Sequence, residues 1–90
     1  MAVALVFNGV GVTQAQYEQV LREVSPDGKV APGLLSHVAG PTSDGWRVLE
    51  VWESQEAVDK FFQDKLQAAL QNENIVVQPE VFPVQNMMQS

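Results

Sequence analysis

Cysteine is absent from this 90-residue sequence, and basic side chains are few. Without cysteine the chain has no disulfide, no thiolate nucleophile and no cysteine-ligated metal or cluster. Eleven acidic residues against five basic ones give a formal net charge of −6. Nucleic acids and anionic membranes are bound by clustered lysine and arginine, so we expect neither as a partner.

Long apolar runs are also missing. The apolar run at residues 2–7 is too short to span a membrane, and it lacks the basic residues that begin a signal peptide. Together with the lack of cysteine, this predicts a soluble, cytoplasmic protein. At this length we expect one domain over residues 1–90, with a thin core that buries only about 60–65% of the unfolded surface.

What the sequence does contain is a regular alternation of strand and helix patterns. Thr13 and Gln16 have the spacing of a capping box, and Ser54 precedes a second amphipathic stretch with an acidic first turn. Turn residues separate the segments. The prediction is strands at 2–7, 34–39, 46–52 and 80–86, with helices at 13–24 and from 54 to about 72.

The strand that starts at residue 46 organises the prediction, because both of its faces carry apolar side chains. One face takes Trp46, Val48, Glu50 and Trp52, and the other takes Arg47, Leu49 and Val51. The order strand, helix, strand, strand, helix, strand predicts a ferredoxin-like split βαββαβ α+β fold. This fold has a four-stranded antiparallel sheet with both helices on one face. We expect a second copy of the chain to bury the other face.

The predicted hairpin before this strand sets the position of the only histidine. Pairing Ala39 with Trp46 across the turn at 40–45 places Leu35 and His37 on the face that carries Glu50. A slip of one residue would reverse the faces. Pro83 cannot donate to a sheet ladder, which predicts that the last strand lies at an edge or contains a bulge.

Several segments of the sequence resemble one known family. They are 37–41, 45–48, 51–54 and 82–86, which read HVAGP, GWRV, VWES and FPVQN. The sequence is similar here to small proteins of the dimeric α+β barrel superfamily, in particular to uncharacterised relatives of the antibiotic biosynthesis monooxygenases. The resemblance implies a homodimer with a ligand cavity between the sheet and the helices of each subunit.

The resemblance supplies no catalytic motif, because the superfamily carries several activities on one fold. We expect no cofactor, haem included. Haem-degrading members use a histidine on a helix, whereas His37 lies on a predicted strand. No spacing typical of a metal site is present.

His37 and Glu50 are the candidate catalytic residues. A histidine titrates near neutral pH, so His37 is suited to accept a proton from a bound phenol or enol, and Glu50 could orient it. The alternatives are a structural histidine bonded between strands and a solvated strand carboxylate.

Candidate substrate-binding residues are mainly aromatic. Stacking on a flat ligand and simple core packing are both open for the large rings, and the asparagines could instead serve turns or strand ends. The candidates are Trp46, Trp52, Tyr17, Phe62, Asn8 and Asn86.

Two functions remain open. One is a cofactor-independent monooxygenase-like enzyme that acts on an aromatic or polyketide-like molecule with His37 as the base. The other is a non-catalytic dimer that binds a small apolar molecule or serves as a structural accessory. An open cavity with His37 beside an aromatic wall favours the enzyme, and a filled cavity favours the accessory.

Overall fold

The computed structural model describes residues 1–89, which form one antiparallel sheet with helices packed on one face. The strand order β2-β3-β1-β4 places β1 and β3 inside the sheet. This confirms the predicted ferredoxin-like α+β fold. The elements in chain order are β1 (Val3–Val10), α1 (Gln14–Val24), β2 (Leu34–Thr42), β3 (Gly45–Trp52), α2 (Gln55–Phe61), a π-helical segment (Phe62–Leu66), α3 (Gln67–Asn72) and β4 (Glu80–Pro83).

Both predicted helix starts are capped as the sequence indicates. The Thr13 hydroxyl accepts from the Gln16 amide at 3.2 Å, and the Gln16 side chain accepts from the Thr13 amide at 3.0 Å. The Ser54 hydroxyl accepts from the Ala57 amide at 3.1 Å. Each cap satisfies amide groups that have no partner within the helix.

The second predicted helix is interrupted by a π-helical segment. The amide of Gln67 bonds to the carbonyl of Phe62, five residues earlier. One such wide turn brings residues five apart onto the same face, and Phe61 and Leu66 accordingly line the same cavity. After the interruption, Leu70 on α3 lines the same cavity as Phe61 on α2.

The hairpin between β2 and β3 is tighter than predicted. The strands pair up to Thr42 and Gly45, so that only two residues form the turn. Trp46 lies opposite Pro41 instead of Ala39. The difference is two residues, which keeps the side chains from His37 onward on their predicted faces, and His37 lies directly opposite Glu50.

A β-bulge corrects the predicted orientation of Leu35. The pairing shifts between Leu34 and Ser36, so Leu35 has no partner in the ladder. Leu34 packs against the core, while Leu35 is 56% exposed. An extra residue in one strand moves the following side chains to the other face, which is why the simple alternation assigned Leu35 wrongly.

The core lies between the sheet and α2. Val3, Leu5 and Val58 surround Trp52, whose side chain is only 1% exposed. The ring of Phe61 packs on that of Trp52 with centroids 5.1 Å apart. Aromatic pairs at this distance bury a large apolar area, so this contact joins the second helical stretch to the sheet.

The other face of the sheet is apolar and open to solvent. Val38, Leu49 and Val6 lie side by side across β2, β3 and β1. Val38 is 61% exposed and Leu49 45% exposed, and Phe82 on β4 is 47% exposed. Pro83 lies on the edge strand β4, as its missing amide predicts. None of the described helices has the length and apolar character needed to cross a membrane.

We expect Ser54→Ala to lower the free energy of unfolding by about 0.5–2 kcal/mol, because the amide of Ala57 loses its acceptor at the start of α2. Denaturant unfolding measures the change. Gln71→Ala, at an exposed helical position, is the matched control and should leave stability nearly unchanged. Equal stability of Ser54→Ala and the wild type would mean that this cap contributes nothing.

Candidate functional site

A cavity of about 270 Å³ lies between the sheet, α1 and the second helical stretch. Its walls are largely apolar, with Val20 and Val24 from α1 on one side and Phe61 and Leu70 on another. Tyr17, His37 and Glu50 also line it, as do Ser25 and Lys29. An apolar cavity with a few converging polar groups is the usual form of a small-molecule site.

Tyr17, His37 and Glu50 belong to one continuous hydrogen-bonded chain. The Tyr17 hydroxyl lies 2.6 Å from Nε2 of His37, and Nδ1 of His37 lies 2.6 Å from one carboxyl oxygen of Glu50. The other carboxyl oxygen accepts from the indole N–H of Trp52 at 3.0 Å. We call this series from Tyr17 to Trp52 the polar chain.

The chemistry of the partners assigns the proton positions. A glutamate carboxylate only accepts, so Nδ1 of His37 carries the hydrogen that bonds to Glu50. In neutral His37, Nε2 has a free lone pair and accepts from the Tyr17 hydroxyl. In this tautomer His37 is neutral and able to take up one further proton at Nε2.

Regular secondary structure holds each member of the polar chain. His37 and Glu50 are directly opposite on β2 and β3. Trp52 lies two residues beyond Glu50, on the same face of β3. Tyr17 is one turn into α1, where its amide bonds to the carbonyl of Thr13. The capped start of α1 thus fixes the height of the Tyr17 ring above the sheet.

The environment of Tyr17 favours its neutral form. Burial raises the pKa of Tyr17 above the ordinary value of 10.0, and the negative charge of Glu50 raises the pKa further. The Glu50 side chain is only 11% exposed and that of His37 is 28% exposed. At neutral pH the Tyr17 hydroxyl therefore keeps its proton and donates a hydrogen bond to Nε2 of neutral His37.

Trp46 forms an aromatic wall beside the polar chain. Its ring stacks on that of Tyr17 with centroids 5.2 Å apart and planes at 30°. Gly45 precedes it, and a side chain there would collide with the carbonyl oxygen of Gly9 on β1. The close approach of the β2–β3 turn to β1 thus requires glycine before Trp46.

The other predicted site residues do not line this cavity. Trp52 is a core residue that reaches the site through its N–H. Phe62 lines a second cavity of about 230 Å³, which also touches Glu50 and Trp52. Asn8 pairs with Arg47 on the open face of the sheet and accepts from its guanidinium at 2.7 Å. Asn86 follows β4 and lines neither cavity.

Sequence reasoning missed two features of the site. The N–H of Trp52 binds Glu50, for which the signal was the Glu-x-Trp spacing on one strand face. The direct bond between Tyr17 and His37 had no signal, because these residues lie on elements that meet only in the folded chain. Among residues 1–89, no group of three histidine or acidic side chains is arranged to hold a metal ion.

No protein-family model matches the sequence, and no curated protein matches it. Several solved structures share its fold over nearly the whole chain. SnoaB, a cofactor-independent oxygenase from Streptomyces nogalater, aligns with a TM-score of 0.65 and 14% identity, covering 99% of this chain and 96% of that chain. Rv0793 from Mycobacterium tuberculosis aligns with a TM-score of 0.76 and 13% identity, covering 99% and 100%.

A third structure is a dimeric ferredoxin-like protein of unknown function from Thermobifida fusca. It aligns with a TM-score of 0.68 and 16% identity, covering 93% of this chain and 92% of that chain. These likenesses confirm the predicted ferredoxin-like α+β fold. At this level of identity they show the fold alone, because one fold carries many functions.

We expect the phenolate absorbance of the protein, which has a single tyrosine, to titrate with a midpoint above pH 10.0. Glu50→Gln should lower the midpoint but leave it above 10.0, because burial is the larger cause. Glu53→Gln, at an exposed position, is the control. A folded-state midpoint at or below that of the urea-unfolded chain would contradict the described environment of Tyr17.

The same shift affects stability at high pH. Above pH 10.0 the unfolded chain loses the Tyr17 proton while the folded chain keeps it, so the unfolded state binds fewer protons. Stability should therefore fall as the pH rises from 10.0 towards the raised pKa. Tyr17→Phe should remove this part of the pH dependence.

Proposed function

We propose that this protein is a cofactor-independent, monooxygenase-like enzyme for an aromatic molecule that carries an ionisable hydroxyl group. The observation that carries the proposal is the polar chain at the wall of a largely apolar cavity. It places a neutral histidine, aligned by a carboxylate, beside the aromatic wall of Trp46. A binding site for an inert apolar molecule has no need of an aligned base.

The cavity supports a flat, mainly apolar ligand. Its volume of about 270 Å³ lies near the lower end of the roughly 300–1,000 Å³ typical of ligand sites. This size suits a molecule of one or two rings. The rings of Tyr17 and Trp46 offer surfaces on which such a molecule can stack.

Proton transfer starts at the Tyr17 hydroxyl. The substrate hydroxyl gives its proton to the Tyr17 oxygen while Tyr17 passes its own proton to Nε2 of His37, 2.6 Å away. The imidazolium that forms is stabilised by the carboxylate of Glu50. Tyr17 remains neutral before and after the transfer, in keeping with its raised pKa.

Ionisation makes the substrate electron-rich enough to react with molecular oxygen. In the overall reaction an activated CH₂ group of the substrate becomes a carbonyl, and O₂ supplies the carbonyl oxygen and the oxygen of one water molecule. The substrate carbon provides all four electrons, so the balance requires no further reductant. The protein contributes proton transfer, alignment of the ligand and a cavity that limits access of water.

The comparison with SnoaB supports this chemistry on the same fold, since SnoaB is a cofactor-independent oxygenase. The contacts within this chain carry the assignment of residues, because 14% identity transfers only the fold. Tyr17, His37 and Glu50 are therefore the residues that we place in the proton-transfer machinery.

We also propose that the protein works as a homodimer through the open face of its sheet. The row formed by Val38, Leu49 and Val6 is apolar, and Val38 and Leu49 are exposed in the single chain. Contiguous apolar surface of this kind marks an interaction site. A second copy packed on it with two-fold symmetry buries the same residues in both chains.

His37→Gln should reduce the rate of oxygen consumption by about 10²–10⁴-fold, because it removes the proton acceptor of the polar chain. The assay follows oxygen uptake with a panel of phenols and naphthols that carry an activated CH₂ group, without added metal or flavin. Ser36→Ala alters the neighbouring side chain on the opposite face of β2 and should keep full activity.

The melting midpoint of each variant separates loss of chemistry from loss of fold. Full activity of a folded His37→Gln variant would refute the assignment of His37 as the base. If no compound both binds the wild type and consumes oxygen above background, the protein is not an oxygenase of this kind and the binding or accessory function takes its place.

Leu49→Glu should raise the dimer dissociation constant by about 100-fold or more, because it buries a charge from each copy in the apolar centre of the interface. Sedimentation or light scattering at micromolar concentration measures the mass. Ala68→Glu, at an exposed helical position, adds the same charge away from the sheet and should leave the dimer intact. A folded, monomeric wild type would contradict the proposed assembly.

A further inference from the structure

The cavity lies between α1 and the sheet, so contacts with the other helices must fix the position of the α1 backbone. α1 packs on the π-helical segment and on α3. The Tyr17 hydroxyl on α1 nevertheless lies 2.6 Å from Nε2 of His37, a residue of the sheet. A small movement of α1 relative to α3 would therefore break the polar chain at this bond.

The end of α3 is fixed by its own hydrogen bonds. The amide of Ile75 bonds to the carbonyl of Leu70 at 2.9 Å. The amide of Asn74 bonds to the carbonyl of Gln71 at 3.1 Å, and Asn74 has a left-handed backbone with φ 56°. This pair of bonds is the Schellman motif, which often ends a helix. The carbonyl of Glu73 lies outside the motif and is open to another donor.

Gln16 connects the start of α1 to this end of α3. Its Oε1 atom accepts from the Thr13 amide at 3.0 Å, as part of the capping box of α1. Its Nε2 atom donates to the carbonyl of Glu73 at 3.3 Å. An amide side chain can do both, whereas a carboxylate only accepts. One half-buried side chain thus satisfies an amide at one helix end and a carbonyl at another.

We propose that Gln16 is a positioning residue, which holds the first turn of α1 against the end of α3 and so keeps the Tyr17 hydroxyl at Nε2 of His37. Tyr17 directly follows Gln16 in the chain, so the link between the helices lies beside the residue that it positions. The inference rests on the proposed function, in which Tyr17 passes a proton to His37. Proton transfer then depends on a side chain that lines neither cavity.

A second bond between the same two helices provides the matched control. The Asn72 side chain donates to the Glu23 carboxylate at 3.2 Å, and both residues are exposed. Glu23 comes six residues after Tyr17, which is about 9 Å along the helix axis. Asn72→Ala therefore removes a bond between α1 and α3 without altering the turn that carries Tyr17.

Gln16→Glu is the test variant, because glutamate keeps the acceptor for the capping box and loses the donor to Glu73. Its melting midpoint should stay close to that of the wild type. The phenolate titration of Tyr17 should move down towards pH 10.0, because a displaced ring is less buried and lies farther from Glu50. The added negative charge acts in the opposite direction, so charge alone cannot produce this fall.

Two further variants complete the titration experiment. Gln16→Met removes both bonds without adding a charge, and it should also lower the Tyr17 midpoint. Asn72→Ala should leave the Tyr17 midpoint at the wild-type value. Each melting midpoint is measured alongside, so that a change at Tyr17 is distinguished from loss of the fold.

Oxygen uptake provides the second readout, with the phenol or naphthol of the panel that the wild type oxidises fastest. Gln16→Glu should lower kcat about 10–100-fold and change KM little, because the polar chain is misaligned while the apolar walls stay intact. In the Tyr17→Phe variant the same substitution should have no further effect on kcat, because Gln16 acts through Tyr17. A residue that only stabilises the fold would lower kcat equally with and without Tyr17.

The outcomes separate the inference from the proposed function. An unchanged Tyr17 midpoint in both Gln16 variants, or an equal loss of kcat with and without Tyr17, overturns the inference, while loss of oxygen uptake in His37→Gln still supports the proposed function. If no compound of the panel is oxidised, the proposed function fails, and a lowered midpoint in both Gln16 variants still supports the placement of Tyr17 by Gln16. A lowered midpoint together with an effect on kcat that vanishes in Tyr17→Phe supports the whole inference.

Discussion

The burial of Trp52 is the constraint on which both the core and the candidate site depend. Its ring is only 1% exposed and packs against Val3, Leu5 and Phe61. The same side chain donates its N–H to Glu50. A buried tryptophan satisfies its donor in this way, so packing of the core also fixes the orientation of the carboxylate. The position of Glu50 in the site is therefore set by a residue of the buried core.

The consequence is a graded series of polar groups that runs from the core towards solvent. Glu50 is 11% exposed at its side chain and His37 is 28% exposed. Glu50 holds one tautomer of His37, and the free Nε2 then holds the Tyr17 hydroxyl. The net charge of −6 disfavours anionic ligands in solution. A neutral hydroxyaromatic that ionises only after binding avoids this repulsion.

The two faces of the sheet differ: one lines the cavity, and the other is an open apolar surface. One face carries Trp46, Glu50 and Trp52 beneath the helices and forms the cavity. The other carries Val38 and Leu49 and has solvent on its apolar surface. Alternation along β3 makes this division possible in one short strand. Substitutions on the open face can therefore alter assembly while the polar chain stays intact.

The sequence by itself determined the strand and helix order, the two caps and the shared face of His37, Glu50 and Trp46. These features follow from local chemistry and from the two-residue period of a strand. Because of that period, an error of two residues in the pairing register leaves each side chain on the same face. Only the tertiary structure decided the bulge at Leu35, because one extra residue in a strand depends on its partner strand. It also decided the bond between Tyr17 and His37, because this bond forms where α1 meets the sheet and no local pattern records that contact.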